Sequence, residues 1–189
     1  KTDAPFGEIE ESIEYYSEYE KAVRPYKKLL DLWISRLFGN EKALVLLRQY
    51  PGQVTDKLRG RKSGLDKRYD EVFEQSEDIT KEKHFFHWEL EFPEVFVDLK
   101  KTDWLENPGF DVVVGNPPYL ISAGKDNKNY FENFNLSEYQ TDQYVYFIEK
   151  SLTITKNLGF ISQIIPDSWL NSKYFRKLRE SFINQYELN

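Results

Sequence analysis

The chain has 189 residues, of which 40% are hydrophobic and 16% aromatic, so it is long and apolar enough to form one packed domain, or most of one. This composition excludes a disordered chain, and the net charge of −6 excludes a protein that is basic over its whole surface, although positive charge can still be concentrated locally. There is no cysteine, which excludes disulfides and thiolate metal sites and is typical of a cytoplasmic protein, and no apolar run approaches the ~20 residues of a membrane span. The two histidines, His84 and His87, are accompanied by no further evident ligands, so no metal site is predicted.

The first part of the chain is predicted to be helical. Apolar residues between positions 9 and 38 recur mostly every three or four residues, which is the spacing of one face of a helix. Pro25 lies inside this pattern, so we expect two helices or one kinked helix, with the break at Arg24–Pro25. Residues 41–50 predict a further short helix, ended by Pro51-Gly52.

A basic segment follows these helices and contains two glycines and a single acidic residue. Its positively charged residues are Lys57, Arg59, Arg61, Lys62, Lys67 and Arg68. Such a loop can contact phosphates, but a solvated surface loop is the commoner explanation, and the sequence leaves both open. Residues 70–82 are acidic and predict a helix that faces water. We therefore expect residues 1–80 to form a helical insertion or subdomain.

Two strands are predicted in the middle of the chain. Residues 85–92 alternate between apolar and polar side chains, as in a strand, and Pro93 would end it. Phe110–Gly115 contains three successive valines, a run that is typical of a fully buried strand in a parallel sheet. A parallel strand delivers the residues that follow it to the carboxyl edge of the sheet, where open α/β folds bind their ligands. Residues 116–119 are therefore expected at an accessible rim.

The residues at this rim are Asn116, Pro117, Pro118 and Tyr119. The two prolines restrict the backbone, so the carbonyl groups of Asn116 and Pro117 have little freedom in where they point. The Asn116 side chain adds a neutral acceptor. Two fixed acceptors suit a group with two N–H donors, such as an aromatic or amide –NH2, and Tyr119 offers a flat face on which that group can stack. An ordinary turn after a strand would use the same residue types.

A polar segment separates this rim from the next predicted elements. It covers about residues 121–141 and is rich in Lys, Asn, Asp and Ser. The apolar spacing that follows predicts a helix from about Asp142 to Asn157. Gly159 is expected to cap this helix.

The last part of the chain predicts a second buried strand and a final helix. The strand covers residues 160–165 and is ended by Pro166. Asp167 or Ser168 can cap the N-terminus of a helix that continues to about Gln185. The order strand, helix, strand, helix (βαβα) predicts an α/β fold with a parallel sheet.

Asn116-Pro117-Pro118-Tyr119 resembles the Asn/Asp-Pro-Pro-Tyr/Phe motif of S-adenosylmethionine-dependent amino-methyltransferases. The resemblance implies that these four residues are catalytic: the Asn116 oxygen and a proline carbonyl accept the two N–H bonds of the target amine, and Tyr119 stacks on the same group. An exocyclic amine is a poor nucleophile because its lone pair is delocalised, and these bonds would aim the lone pair at the sulfonium methyl. Transfer would be a direct in-line displacement that depends on positioning and electrostatics, without a covalent intermediate or a metal.

A second, longer resemblance indicates which amino-methyltransferases the chain is most similar to. The run from His87 to Phe96 is similar to a segment found shortly before this motif in large bacterial and archaeal DNA adenine-N6 methyltransferases, including fused restriction–modification enzymes and phage-exclusion (BREX-like) enzymes. Asp142–Phe147 resembles the helix start that follows the catalytic loop in the same enzymes, and Gly159–Leu170 resembles their next strand and its helix. The resemblance covers about residues 84–189, and it implies that residues 81–189 are part of a Rossmann-like methyltransferase domain.

The cofactor implied by the resemblance is S-adenosylmethionine, and Asn116, Tyr144 and Phe147 are the residues expected to contact it. The glycine-rich turn that binds this cofactor in the family is missing, because no Gly-x-Gly occurs in the chain. We therefore expect the chain to be the catalytic-loop half of a larger enzyme, which depends on the rest of the parent polypeptide and is inactive alone.

The leading functional hypothesis is that the parent enzyme methylates the N6 amine of an adenine flipped out of double-stranded DNA, in a restriction–modification or phage-defence system. Two alternatives stay open. One is the same chemistry on a protein glutamine or on a guanine in RNA, and the other is a non-catalytic domain that only binds DNA or a partner. The segment from Trp88 to Phe96 and the helical insertion favour DNA.

Overall fold

A computed structural model describes residues 6–120, 128–138 and 141–185. The chain is a mixed α/β protein made of two compact units, which we call the helical unit (residues 1–90) and the sheet unit (residues 91–189). Within the described ranges, no helix is long and apolar enough to cross a membrane. The division of roles at residue 80, between an insertion and a catalytic domain, stays a prediction.

The helical unit is dominated by a long first helix, α1 (Phe6–Ser35), which continues through Pro25. Of the two alternatives that the sequence left open, two separate helices is therefore wrong, and one continuous helix is observed. Pro25 removes one backbone hydrogen bond from the helix interior, but tertiary contacts hold α1 on both sides of it. Before Pro25, the Tyr19 hydroxyl donates to the Leu90 carbonyl. After it, Leu32 is fully buried in the core of the unit.

The next helices are α2 (Lys42–Gln49) and α3 (Pro51–Leu58). The helix predicted at residues 41–50 is confirmed. However, Pro51-Gly52 begins a new helix as well as marking the end of the old one, because proline at the first helical position loses no intrahelical hydrogen bond. The core that joins these helices to α1 consists of Leu32, Ala43, Leu46, Val54 and Val72.

The helix predicted at residues 70–82 is confirmed as α4 (Asp70–Lys83). It does not face water on all sides, because Val72, Ser76 and Ile79 are buried on its inner face. A buried side chain ties its start to the end of α1: the Asn40 amide nitrogen donates to the Val72 carbonyl at 2.8 Å and to the Ser35 hydroxyl at 3.1 Å.

The prediction of a strand at residues 85–92 is wrong. The segment instead contains a single helical turn, α5 (Trp88–Glu91), and a second one, α6 (Pro93–Phe96), follows it. His84 takes a left-handed conformation that ends α4, and the buried His87 ring is hydrogen bonded to Asp31 of α1 at 2.7 Å. The alternation of apolar and polar residues favours a strand, whereas the contact between His87 and Asp31 accompanies a helical turn. A small antiparallel pair follows, formed by β1 (Val97–Asp98) and β2 (Asp103–Trp104).

The sheet unit contains the predicted parallel pair. Strands β3 (Phe110–Gly115) and β4 (Thr155–Gln163) are parallel, and α8 (Gln143–Ile154) connects to the start of β4. The valine strand is confirmed, but the prediction that it is fully buried is wrong: Val112 is 55% and Val114 76% exposed. Val113 on the opposite face is half-buried. In the described part of the chain, one face of this two-stranded sheet has no cover.

The pairing of β3 with β4 is interrupted near its start. Phe110 is opposite Thr155 and Val112 is opposite Phe160, so residues 156–159 bulge out of β4. Gly159 lies in this bulge and does not cap α8, contrary to the prediction. A side chain there would clash, because a Cβ atom would lie 2.6 Å from the Thr155 methyl carbon and 3.0 Å from the Asp111 carbonyl oxygen.

The prediction of a single last helix that begins at Asp167 or Ser168 is also wrong. Two 3₁₀ turns, Asp167–Leu170 and Lys173–Phe175, precede α9 (Arg176–Gln185). The break occurs at Ser172, which is extended and whose side chain accepts a hydrogen bond from the Tyr174 N–H. The side chain of Arg179 provides hydrogen bonds at this break, because it donates to the backbone carbonyls of Trp169 and Ser172.

Helix α8 packs against the last part of the chain. The buried core of the sheet unit consists of Tyr144, Val145, Ile148, Phe175 and Leu178. The polar segment predicted at residues 121–141 lies partly outside the described residues, namely at 121–127 and 139–140. Its described part begins with the short helix α7 (Lys128–Phe131), whose Phe131 ring lies 4.3 Å from the ring of Tyr146.

Gly109 provides a test of the close approach between the start of β3 and the start of β4. Its φ is +125°, and a Cβ atom would lie 2.5 Å from the backbone nitrogen of Lys156. Gly109→Ala should therefore lower the free energy of unfolding by about 2–4 kcal/mol through backbone strain and overlap. Urea unfolding followed by circular dichroism measures the change.

The matched control is Gly52→Ala in α3, where no atom lies within 4 Å of the added Cβ and the backbone is helical. This variant should leave stability unchanged or slightly raised, because alanine favours helix. Equal stability of the Gly109→Ala variant and the unsubstituted protein would contradict the close approach.

Candidate active site

The Asn116–Tyr119 motif directly follows β3, at the carboxyl end of the parallel pair. Strand pairing continues up to it: Gly115 is opposite Gln163, and the Ile164 N–H donates to the Gly115 carbonyl at 3.1 Å. Asn116, Pro118 and Tyr119 are exposed, whereas Pro117 is buried. The motif is thus accessible while its second residue anchors it in the protein.

The hydroxyl of Tyr119 connects the motif to the next strand segment. It lies 3.0 Å from Oδ1 of Asn116 and 3.0 Å from the carbonyl oxygen of Ile164, so it can donate to either acceptor. Because a carboxamide oxygen has two lone pairs, Oδ1 of Asn116 keeps one for another donor. The sequence had indicated the Tyr119 ring for stacking, and it gave no indication of this role for the hydroxyl.

A second acceptor lies in the same turn. Among the described residues, no group donates a hydrogen bond to the carbonyl oxygen of Pro117. The two successive prolines restrict its direction. The motif therefore presents one side-chain oxygen held by a tyrosine and one backbone oxygen without a partner in this part of the chain.

Two residues that sequence reasoning missed hold the base of the motif. The Gln163 side chain lies against Gly115, with contacts of 3.8 Å to the position of an added Cβ. Its amide nitrogen donates to the Ser151 hydroxyl at 2.7 Å, and Ser151 in turn donates to the Phe147 carbonyl of α8 at 2.8 Å. The only sequence signal was a polar residue near the end of an apolar strand, and that signal does not identify a partner.

The two aromatic residues proposed for cofactor contact have very different environments. Tyr144 is fully buried and stacks on Phe175 with ring centroids 5.6 Å apart, and burial raises the pKa of its hydroxyl. Phe147, one turn further along α8, is half-exposed. The start of α8 is joined to the motif segment, because the Gln143 N–H donates to the Leu120 carbonyl at 2.8 Å. Of the two rings, only Phe147 has surface available to a ligand.

The two histidines lie in the helical unit. His84 is an exposed residue that ends α4, and the buried His87 is hydrogen bonded to Asp31 in the helical unit. Over the described ranges, no group of three or more histidine, aspartate or glutamate side chains is arranged to hold a metal ion.

Comparison with protein families matches residues 16–189 to the family described as Eco57I restriction-modification methylase. The chain belongs to this family. The resemblance to restriction–modification methyltransferases that the sequence indicated is therefore confirmed, and the chain shares it with relatives from bacteria, an archaeon and a virus.

Several curated proteins of this kind are similar to parts of the chain. The type II restriction enzyme and methyltransferase RM.Eco57I of Escherichia coli is 34% identical over 82 residues, which are 40% of this chain and 8% of that protein. RM.MjaORFECS2P of Methanocaldococcus jannaschii is 26% identical over 160 residues, 84% of this chain and 12% of that protein. The type II methyltransferase M.BstVI of Geobacillus stearothermophilus is 31% identical over 93 residues, 48% of this chain and 17% of that protein.

The chain thus spans less than a quarter of the length of each of these three relatives. No solved structure matches the chain.

The hydrogen bond between Tyr119 and Asn116 can be tested by removing the hydroxyl alone. Tyr119→Phe should leave the Asn116 carboxamide without its described partner, so its side-chain N–H₂ group should become more mobile. Heteronuclear relaxation of that group by NMR measures this mobility. Because the bond is exposed, the variant should fold normally, with a loss of no more than about 1.5 kcal/mol.

Tyr174→Phe in the same unit is the matched control, since Tyr174 is similarly exposed and forms no described bond to Asn116. Unchanged relaxation of Asn116 in the Tyr119→Phe variant would show that the hydroxyl does not hold the carboxamide.

Proposed function

We propose that the chain is the part of a DNA methyltransferase that holds the target amine, in an enzyme that transfers a methyl group from S-adenosylmethionine to N6 of an adenine flipped out of double-stranded DNA. We place this enzyme in a restriction–modification or phage-exclusion system. The observation that carries the proposal is an exposed carboxamide at the carboxyl end of β3, oriented by a tyrosine hydroxyl. Membership in a restriction-modification methylase family supports it.

The chemistry requires two acceptors with fixed directions. The N6 amine of adenine has its lone pair delocalised into the ring and carries two hydrogens. Oδ1 of Asn116 and the carbonyl oxygen of Pro117 accept one N–H each, which favours a tetrahedral nitrogen and frees its lone pair. The acceptors also stabilise the positive charge that develops on the nitrogen. Since both oxygens are already held in place, little reorganisation accompanies the reaction.

The ring of Tyr119 holds the base itself. Extrusion of the adenine from the duplex costs a few kcal/mol of unstacking. Stacking on an aromatic side chain returns about 1–3 kcal/mol per base. Tyr119 is 46% exposed in the chain, so part of its ring is accessible for stacking while its hydroxyl is engaged with Asn116.

Only one wall of a cofactor site is built from described residues of this chain. The half-exposed Phe147 ring and the exposed Asn116 side chain fit such a wall, because an apolar surface and a polar acceptor are what an adenosyl group with a charged sulfonium requires. When bound, S-adenosylmethionine supplies the electrophilic methyl group. Tyr144, which is buried at the start of α8, supports this wall by packing against Phe175.

We further propose that the rest of the site is provided by other parts of a longer polypeptide. Two observations support this. The chain has no Gly-x-Gly turn for the cofactor. The uncovered face of the β3–β4 pair also exposes Val112, Val114, Phe160 and Ile164, which soluble proteins normally cover. The much greater length of the relatives is consistent with the same proposal.

Replacement of Asn116 is the direct test of the acceptor role. In the complete enzyme, Asn116→Ala should reduce the rate of methyl transfer to DNA about 10²–10³-fold, the usual effect of losing one pre-placed hydrogen-bonding partner. Binding of S-adenosylmethionine should change little. Transfer of tritiated methyl groups to DNA and calorimetric titration with the cofactor measure the two quantities.

Two further variants sharpen this experiment. Asn116→Asp keeps an acceptor oxygen and should retain more activity than Asn116→Ala. Asn171→Ala removes an exposed carboxamide elsewhere in the sheet unit and should leave the transfer rate unchanged. Near-normal turnover of the Asn116→Ala variant would rule out the assignment, and transfer to a protein or to RNA in place of DNA would change the proposed substrate.

The proposal of a shared cofactor site predicts the behaviour of the 189-residue chain by itself. It should show no measurable binding of S-adenosylmethionine in a calorimetric titration, because real pockets enclose about 70–90% of a ligand and one wall buries far less. The complete enzyme, titrated under the same conditions, is the control. Micromolar binding by the isolated chain would contradict the proposal of an incomplete site while leaving the role of Asn116 untouched.

A further inference from the structure

Residues 57–68, from the end of α3 to just before α4, concentrate positive charge in a chain whose net charge is −6. We call this segment the basic loop. It contains six cations and one carboxylate. Every cationic residue in it except Lys57 is exposed by more than a third of its surface. The methyl-transfer chemistry proposed for Asn116–Tyr119 makes no use of it.

The loop has a defined conformation. Leu58 at its start and Leu65 near its end pack against the core of the helical unit. Between them, the Arg61 N–H donates to the Asp56 carbonyl at 2.8 Å, and Gly60 takes a φ of +71° that closes the turn after α3. The Asp66 carboxylate accepts from the Arg68 N–H at 2.9 Å. The cations are therefore displayed on an ordered backbone, and little further order is needed for them to bind a ligand.

Half of these cations have no acidic partner among the described residues. Lys57 pairs closely with Asp70 at 2.8 Å, whereas Arg61 and Arg68 lie at 3.9 Å and 3.6 Å from Asp56 and Asp66. For the other three, none of the described carboxylates lies within ion-pair distance. These three are Arg59, Lys62 and Lys67. A C-terminal helix dipole accounts for cations at the end of α3, such as Lys57 and Arg59, but not for those further along the loop.

Two of the arginines are held against tyrosine rings. The Arg59 guanidinium lies 5.5 Å from the centroid of Tyr26 and donates to its hydroxyl at 2.8 Å. The Arg68 guanidinium lies 5.0 Å from the centroid of Tyr69. A guanidinium has five N–H donors in a planar fork, so each arginine is oriented while most of its donors are left for a ligand. Planar forks match the oxygens of a phosphate.

We propose that the basic loop binds the phosphodiester backbone of double-stranded DNA, without reading its sequence. Several cations spread along an ordered loop suit a ligand with repeated charges better than a single anion. Contacts of this kind position a protein on DNA and carry no base specificity. The inference rests on the proposed function only for the choice of DNA as the polyanion.

The test is the salt dependence of binding to DNA. The complete polypeptide that carries this chain is titrated onto a short fluorescein-labelled duplex of arbitrary sequence, and anisotropy gives the dissociation constant from about 50 to 200 mM salt. The triple variant Arg59→Gln/Lys62→Gln/Lys67→Gln should bind more weakly. The slope of log affinity against log salt should fall in magnitude by about 2.7, at about 0.9 per phosphate contact.

A second triple variant controls for net charge. Lys28→Gln/Lys81→Gln/Lys83→Gln removes the same charge from the helical unit, but each of these lysines pairs with a carboxylate. Its slope should remain that of the unsubstituted protein. Because Arg59 also contacts Tyr26, the double variant Lys62→Gln/Lys67→Gln is included; neither lysine side chain has a described contact, and the slope should fall by about 1.8.

Three results would overturn the inference. They are an unchanged slope in the basic-loop variants, an equal fall in the control triple, and equally tight, equally loop-dependent binding of polyglutamate, which would indicate an acidic protein as the ligand. Each can be distinguished from failure of the proposed function, because methyl transfer is measured separately and Asn116→Ala should leave this salt slope unaltered.

Discussion

The parallel pairing of β3 with β4 is the constraint on which the candidate site depends. The pairing continues to Gly115 and Gln163, the last residues of the two strands, and the Ile164 N–H closes it on the Gly115 carbonyl. As a result, the carbonyl oxygen of Ile164 comes within 3.0 Å of a hydroxyl 45 positions earlier in the chain. A shift of one residue in register would turn Gln163 to the opposite face and break its bond to Ser151.

The bulge in β4 allows this register to coexist with a helix that ends directly before the strand. Ile154 is the last residue of α8 and Thr155 the first of β4, so the chain has no loop in which to adjust. The extra residues 156–159 instead form the bulge, which brings Phe160 into register with Val112. Asn107 clamps the bulge by donating to the Asn157 carbonyl and accepting from its N–H, at 3.1 and 2.8 Å. The ion pair between Lys156 and Asp111 lowers the pKa of that carboxyl, but it is exposed and contributes little.

The two parts of Tyr119 contribute differently to the proposed chemistry. A hydrogen bond from an exposed hydroxyl adds about 0.5–1.5 kcal/mol to stability, whereas stacking of a base adds about 1–3 kcal/mol to binding. Under the proposed function, the ring contributes affinity for the base, whereas the hydroxyl limits the directions in which the Asn116 oxygen can point. Such a restriction matters for transfer because the geometry of the acceptors, more than their number, sets the direction of the lone pair.

The sequence by itself determined the features that depend on local conformation and local periodicity. Helix α8 follows from the spacing of apolar residues, α2 from the Pro51-Gly52 stop and α4 from its acidic composition. Strand β3 follows from its three valines, and the position of the motif from its place directly after that strand. The motif and its surrounding segments were also sufficient to indicate a methylase family, which the comparison confirms. These features are visible in a sequence because each depends on residues that are close together in the chain.

Only the tertiary structure decided which surfaces are covered and which distant groups meet. The alternation of residues 85–92 resembles a strand, yet the Asp31–His87 contact and Pro93 at the start of α6 give helical turns. A run of valines has the same pattern whether its second face is covered or, as at Val114, exposed. The partners of the Tyr119 hydroxyl and of the Gln163 amide lie on other elements of the fold. Local patterns encode the conformation of a segment, but its burial and its hydrogen-bond partners are set by contacts between segments far apart in the chain.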